Sequence, residues 1–437
     1  MNTSTIGRIV TGCLGAGLVL ALVLVLVGPA SGAEEHVVTA TVLLTFASSW
    51  ALLAIVSTRS GQPQRWAMLP AVFLALAGGG LLVFAPGDSV LDALGWAWPL
   101  LLLAVVARTA TLVKRDLRSR TRTRVVYPLL AAYALCAVGG AYQTIAAATD
   151  RRAYPPPGQL VDVGGHRLHL QCAGTGTPTV VLESGLGETG GYWGWISAPV
   201  AQLTTVCVYD RAGRGWSEAA PEAQDGVAVA TDLHALLNRA GVPGPFVLVG
   251  HSSGAQYVRI FAGRYPEAVA GMVLLDGQPA EALEGLPFFP IFYRLFRPVS
   301  AVLPSLARLG VGRLLTFEDA ALPLASRAVQ RVHHVSPRLY RSERDEFAEL
   351  PTSLAQARSF QSLGGRPLIV VTAAVNALAG WMPLQERMAT LSTNSSHRVL
   401  QVVHDAVVTD RVASQTSAQA IRDVIHAVRF AARIEQR

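Results

Sequence analysis

The chain has 437 residues, of which 51% are hydrophobic and 15% charged, and its mean hydropathy is +0.38. Soluble globular chains carry roughly a quarter charged residues, so this composition excludes an ordinary soluble protein, and a disordered chain still more firmly. The formal charge of +7 is unevenly spread, with ten basic and six acidic side chains in residues 1–150; it marks part of the chain and excludes a basic nucleic-acid-binding arm.

Crossing a bilayer takes about 20 apolar residues at 1.5 Å each. Residues 1–149 read as an all-α transmembrane region of about five helices: Ile9–Val27, Val37–Val56, Ala67–Ala85, a shorter segment around Leu94–Ala107 that contains Pro99, and Tyr127–Ala148. No ionisable residue lies near a span centre, which argues against a proton or ion path. The loop after the second span carries Arg59 and Arg65. The loop after the fourth carries Arg108, Lys114, Arg115, Arg118, Arg120, Arg122 and Arg124 against Asp116. The alternate loops carry Glu34, Glu35, Asp88 and Asp92 and no basic residue. Basic loops stay in the cytoplasm, so five spans put the N-terminus inside and everything after residue 150 outside, at the cell membrane. The 108–124 run also fits a lipid-surface patch, but orientation explains it without a further assumption. Ser31-Gly32-Ala33 resembles a leader cleavage site, yet the first span exceeds the roughly 7–15 residues of a leader core. Cleavage there would leave the C-terminal part outside in either case.

Residues 150–158 form a linker with three consecutive prolines, an extended spacer. From 159 to 437 short apolar runs alternate with helical stretches, the pattern of an α/β sheet protein. The predicted strands are Gln159–Val163, Arg167–Cys172, Thr179–Glu183, Thr205–Tyr209, Phe246–Val249, Gly271–Leu275, Pro367–Thr372 and Arg398–Val403. Runs that are apolar at every position suit central parallel strands with helices on both faces. Residues 278–365, between the sixth and seventh strands, read as a helical insert.

Gly250-His251-Ser252-Ser253-Gly254 follows one apolar run and precedes a helical pattern. This is G-x-S-x-G in its strand–turn–helix setting, where small residues allow a tight turn that lifts the serine hydroxyl above the sheet edge. On these residues the chain from about 159 onward resembles the α/β-hydrolase superfamily, in particular its serine esterases and lipases. The resemblance implies a mostly parallel sheet, a helical cap formed by the insert, Ser252 as nucleophile, and a histidine after the last strand. His404 fits that histidine better than His397, which begins a strand, or His426, which sits in a helix. The family's usual acid position, after the seventh strand, holds no carboxylate; Asp276, after the sixth, takes that role, with Asn376, Glu386 or an incomplete triad as alternatives. Leu182-Glu183-Ser184-Gly185-Leu186-Gly187 stands at the oxyanion loop, with serine where the family usually has histidine, so the amides of Leu186 and Ser253 become the expected oxyanion donors. Asp210–Ser217 resembles a family loop that shapes the site.

The expected activity is hydrolysis of a carboxylic ester, with the membrane tether and the aromatic run Pro287–Arg297 favouring lipidic or other apolar substrates. That run fits an acyl pocket, a membrane-interface contact or plain cap core. No organic cofactor or metal is expected: His333-His334 has no second ligand pair and reads as packing. Membrane lipids are expected neighbours, and nucleic acid is not a partner. A serine at the elbow argues against the epoxide hydrolases and dehalogenases of this fold, which use aspartate. Thioesterase, peptidase, acyltransferase and cofactor-free haloperoxidase chemistry share the constellation, and a ligand-sensing receptor or relic domain stays open. Cys13 and Cys136 lie in spans. Cys172 and Cys207 sit at the ends of the second and fourth strands, which the resemblance makes neighbours, so that either a disulfide or two buried thiols fits.

Overall fold

A computed structural model describes residues 3–59, 62–117, 120–314 and 320–435. Arg118 of the basic loop and residues 315–319 of the insert lie outside the described residues. The chain divides into two compact units, Met1–Ala153 with Leu295–Leu315 and Val335–Arg344, and Tyr154–Arg294 with Thr316–His334 and Asp345–Arg437. The insert, expected as one cap on the second unit, is thus shared between them.

The first unit contains helices α1 (Thr3–Leu26), α2 (Glu35–Thr58), α3 (Met68–Phe84), α4 (Asp88–Asp116) and α5 (Tyr127–Ala153). All five lie in helical segments long and apolar enough to cross a membrane by length and composition, the third of which runs from Arg65 to Phe84. The α4 helix runs well past the expected Leu94–Ala107 in both directions, and Pro99 sits inside it. The α5 helix continues into what reads as linker, ending at Ala153. Side chains such as Trp50, Leu53, Trp66 and Val113 form the core of this bundle. One ionic cluster joins helix ends that are far apart in sequence. Arg308 pairs with Glu35 at the start of α2 and with Asp88 and Asp92 at the start of α4. Arg313 pairs with Asp150 near the end of α5. These are the ends that an alternating five-span path brings to one face.

The second unit is built on an eight-stranded sheet in the order β1-β2-β4-β3-β5-β6-β7-β8. The strands are β1 (Gln159–Asp162), β2 (Arg167–Ala173), β3 (Thr179–Glu183), β4 (Val206–Tyr209), β5 (Phe246–His251), β6 (Val269–Leu275), β7 (Leu368–Ala373) and β8 (Ser395–Leu400). β2 is antiparallel to both its neighbours, and the pairs from β4–β3 to β7–β8 are parallel. β8 begins three residues before the predicted run, so His397 is interior to the strand. Side chains alternate between faces along a strand, and both faces here are apolar. Val181, Leu248, Leu274 and Val370 pack against helices α6 (Gly226–Arg239) and α7 (Gly254–Arg264). Val180, Val247, Val249 and Val371 pack on the other face, against the C-terminal helix of residues 413–430. Asp225 caps α6 by accepting from the Ala228 amide. Cys172 and Cys207 face each other across β2 and β4 and are disulfide-bonded, with Cα atoms 4.0 Å apart.

Candidate active site

In an open parallel sheet, reactive groups gather at the carboxyl ends of the strands. Ser252 follows β5, Asp276 follows β6, and His404 comes after β8. The elbow is sterically demanding. Ser252 has φ 50°, a left-handed conformation that costs an L-residue of order 1–3 kcal/mol. A Cβ on Gly250 would come 2.8 Å from the backbone of Ala255, and one on Gly254 would come 2.8 Å from the Ser184 carbonyl oxygen, closer than real Cβ contacts. Both positions therefore demand glycine. The strained turn is held by hydrogen bonds from the Ser252 amide to the Leu275 carbonyl (3.2 Å) and from the Gln278 amide to the Ser252 carbonyl (2.8 Å).

Ser252 Oγ lies 2.8 Å from His404 Nε2, and His404 Nδ1 lies 2.6 Å from Asp276 Oδ2. The other Asp276 oxygen accepts from the Ala373 amide (3.1 Å) and from Trp381 Nε1 (2.8 Å), fixing the carboxylate on both sides. The Asp276 side chain is buried, at 3% exposure, whereas that of His404 is 40% exposed. The structure therefore brings Ser252, His404 and Asp276 into one hydrogen-bonded chain. Among the alternatives, His397 Nε2 bonds Thr372 Oγ1 (2.8 Å), His426 packs its ring on Phe430, and Glu386 lies on the helix of residues 381–389, where its charge acts on His397.

Leu186, Ser253, Ser252 and His404 line a cavity of about 350 Å³ whose walls are largely apolar, with Phe289, Phe292, Phe347, Leu350, Leu378 and Trp381 among them. Asn376 also lines it. The first two of these phenylalanines come from helix α8 (Phe289–Arg308), and Phe347 and Leu350 come from helix α9 (Pro337–Ser359).

A buried ionic scaffold, which the sequence does not reveal, holds the oxyanion loop. Glu183 pairs with Arg211 and accepts from the Tyr209 hydroxyl. Arg211 also donates to the carbonyls of Ser184 and Gly185, and Arg214 donates to the Gly185 carbonyl at 2.6 Å. Glu346, from the insert, pairs with both arginines, at 2.8 and 2.6 Å. Burial pushes Glu183 above the usual carboxylate range in spite of Arg211. Glu188 accepts from the Gly185 amide and stands 2.6 Å from Nδ1 of the elbow residue His251. Burial opposes both charges of that pair, but their mutual attraction prevails: His251 is raised above its ordinary value and Glu188 is lowered. Asp210 accepts from the Gly190 and Trp216 amides and from His169, which makes its stretch a loop-shaping element.

His251, His404 and Asp405 bring ligand-type atoms within 4.8 Å of one another. Both nitrogens of His404 are already engaged, so this trio offers a metal no free imidazole from that residue. His333 packs its ring edge-on to Trp216, and His334 stacks on Tyr192.

Residues 178–364 match the family described as alpha/beta hydrolase fold. A structure of a Pseudomonas aeruginosa protein described as an epoxide hydrolase superposes with a TM-score of 0.53 at 18% identity, over 62% of this chain and 96% of that one. The fold is that of the α/β hydrolases. In sequence the chain is 27% identical over 282 residues to an uncharacterized protein of Schizosaccharomyces pombe, covering 57% of this chain and 52% of that one. It is 35% identical over 103 residues to a Cronobacter turicensis protein named for carbamate hydrolysis, covering 23% and 38% respectively. The chain spans about half or less of the length of these curated relatives.

Proposed function

We propose that this protein is a membrane-anchored, extracytoplasmic serine hydrolase that cleaves carboxylic esters. The observation that carries the reading is the chain Ser252 Oγ–His404 Nε2–His404 Nδ1–Asp276 Oδ2, with links of 2.8 and 2.6 Å, at an apolar cavity. A free serine hydroxyl is a poor nucleophile until a neighbouring base takes its proton. His404 takes that proton as Ser252 attacks the ester carbonyl, then returns it to the departing alcohol. Asp276 fixes the His404 tautomer and stabilises the imidazolium. The amides of Leu186 and Ser253 receive the developing oxyanion, where one such donor is worth about 3 kcal/mol. Water, deprotonated by His404, then releases the acid from the acyl-enzyme. A receptor reading draws on the lack of a carboxylate after β7; the 2.6 Å contact between Asp276 and His404 supports the hydrolase reading instead.

Extracytoplasmic placement draws on three observations. Basic residues segregate to alternate loops. The cluster around Arg308 and Arg313 gathers the ends of α2, α4 and α5 that this topology puts outside. The Cys172–Cys207 disulfide suits an oxidising compartment. The test is fluorophosphonate labelling of the full chain in sealed, right-side-out membrane vesicles. A membrane-impermeant probe should label the wild type and not Ser252→Ala. No Ser252-dependent labelling would end the hydrolase reading, and labelling only after detergent opening would end the topology.

A further inference from the structure

Part of the insert belongs to the membrane-type bundle, not to the sheet. The segment Leu295–Leu315 clusters with α1–α5, and its contacts can be placed along the spans. Ala301 of α8 packs with Val25 near the end of α1 and Val38 in the first turn of α2. Ser305 Oγ lies 2.7 Å from Thr39 Oγ1. Beyond the helix the chain goes deeper. A Cβ built on Gly310 would fall 2.8 Å from the carbonyl oxygen of Gly139, in the middle of α5. A Cβ on Gly140 would touch both the Arg308 carbonyl oxygen (3.6 Å) and Pro99 of α4 (3.9 Å). Gly139 and Gly140 thus provide a side-chain-free notch for the turn.

Helical rise converts these contacts into depth. Pro99 is eleven residues beyond Asp88, or about 16 Å along α4. The hydrocarbon core is about 30 Å thick, and Asp88 and Arg108 are about that far apart along the same helix. With these charges at the two boundaries, the turn after α8 reaches about half-way through the core. The Arg308 guanidinium nonetheless stays with Glu35, Asp88 and Asp92, as expected of a long cationic side chain that reaches back to the polar boundary. The outward face of α8 is apolar: Ile291, Leu295, Val299 and Leu306 are exposed at successive spacings of four, four and seven, one helical stripe, with Leu295 at 69% exposure. The first turn of this same helix carries Phe289 and Phe292, which line the cavity at Ser252.

We propose that α8 from Leu295 onward, with the turn after it, is a re-entrant element of the outer leaflet, that Leu295, Val299 and Leu306 lie against lipid acyl chains, and that the substrate is an acyl ester held in that leaflet. The substrate half rests on the serine-hydrolase reading above. The chemistry is unchanged: the acyl group transfers to Ser252, the alcohol leaves with the proton held by His404, and water releases the fatty acid.

The experiment uses the full chain in phosphatidylcholine/phosphatidylglycerol vesicles, in a Cys13→Ala/Cys136→Ala background. Nitroxide labels go at Leu295→Cys and Leu306→Cys, with Val412→Cys, 72% exposed in the other unit, as reference. The stripe labels should collide with oxygen and be at least tenfold less accessible than Val412 to a water-soluble nickel chelate. Equal nickel access at all three sites would overturn membrane entry. In the same vesicles, a Leu295→Asp/Leu306→Asp variant should lose at least tenfold in hydrolysis of bilayer-held dioleoylglycerol. It should keep its rate on dissolved p-nitrophenyl acetate, which also reports that the fold survives. Equal rates for variant and wild type on both substrates would overturn leaflet delivery. Ester cleavage that persists in Ser252→Ala would overturn the functional reading and with it the substrate half, and the nickel-access comparison would still decide membrane entry.

Discussion

The Asp276 carboxylate lies 2.6 Å from His404 Nδ1 although the two residues follow β6 and β8, strands that β7 separates in the sheet. The gap is bridged because Asp276, with φ 41°, turns across the end of β7, where its second oxygen accepts from the Ala373 amide. Asp276→Asn preserves shape but presents a donor to His404 and so favours the wrong tautomer. In a serine protease the equivalent change lowers kcat by about 10⁴, and a fall of that order is expected in ester turnover here. Glu386→Gln should leave kcat within about twofold. The reverse ranking would dismiss Asp276 as the orienting acid.

Trp381 tests the same carboxylate from its other side. Its indole N–H donates to Asp276 Oδ1 at 2.8 Å in a buried setting. Hydrogen bonds to charged groups are worth about 1.5–3 kcal/mol, so Trp381→Phe should cost between about tenfold and a hundredfold in kcat. Because Trp381 also lines the cavity, KM should be compared for short and bulky esters. A change in KM alone would assign it a packing role.

Much of this arrangement is legible in the sequence because its causes are local. The two-faced apolar runs of β5, β6 and β7 follow from burial on both sides, and Gly250 and Gly254 are forced by backbone atoms a few residues away. Asp276 is legible as a carboxylate leaving a strand at the correct sheet edge. The edge strand β8 is harder to read: Ser395 and Ser396 open it and it is only partly buried, so no apolar run announces its start. The scaffold around Arg211 is not legible at all, since Glu346 lies 135 residues away and charge pairing leaves no periodic signature. The length of α4 is hidden for a similar reason. Asp88 and Asp92 look like loop acids until Arg308, from the insert, neutralises them.

The Glu188–His251 pair predicts a pH-dependent stability. His251 is raised above its ordinary value, so its contribution is complete below the unfolded pKa near 6.5 and is lost as pH climbs through the higher folded value. Glu188 is lowered, so its contribution is present above the unfolded value near 4.5 and is lost as pH falls through the lower folded one. The pair is therefore at full strength between about pH 5 and 6. Breaking a buried pair from one side costs about 3–5 kcal/mol. Thermal unfolding of wild type and Glu188→Gln should differ most in that window and converge at alkaline pH. A difference independent of pH would show that Glu188 acts through packing and its bond to the Gly185 amide alone.

The disulfide gives a prediction that needs no activity. Cys172 and Cys207 close a loop with a sequence separation of 35, for which constraint of the unfolded chain contributes about 2–4 kcal/mol. The Cys172→Ser/Cys207→Ser variant should unfold at a clearly lower temperature. Intact mass without reductant should show Cys13 and Cys136 as the alkylatable thiols. Alkylation of all four cysteines would remove both the bond and its support for an oxidising compartment.

Arg308 carries the last prediction, because one guanidinium serves three carboxylates. Glu35 is almost wholly buried, with its side chain at 3% exposure, and it meets Arg308 more closely than it meets Arg341, which is 3.9 Å away. Arg308→Met should therefore leave buried Glu35 with only the longer contact to Arg341, a loss of about 3–5 kcal/mol, while Asp88 keeps Arg341 at 3.2 Å. Arg308→Met with Glu35→Gln removes one charge of each sign and should recover part of that loss, since replacing a buried pair outright is often close to neutral. Resistance to proteolysis in vesicles, compared across the two single variants and the double variant, measures the coupling directly. Additive losses would mean that Arg308 and Glu35 act independently, and the ionic contact would then not be what holds the insert in the bundle.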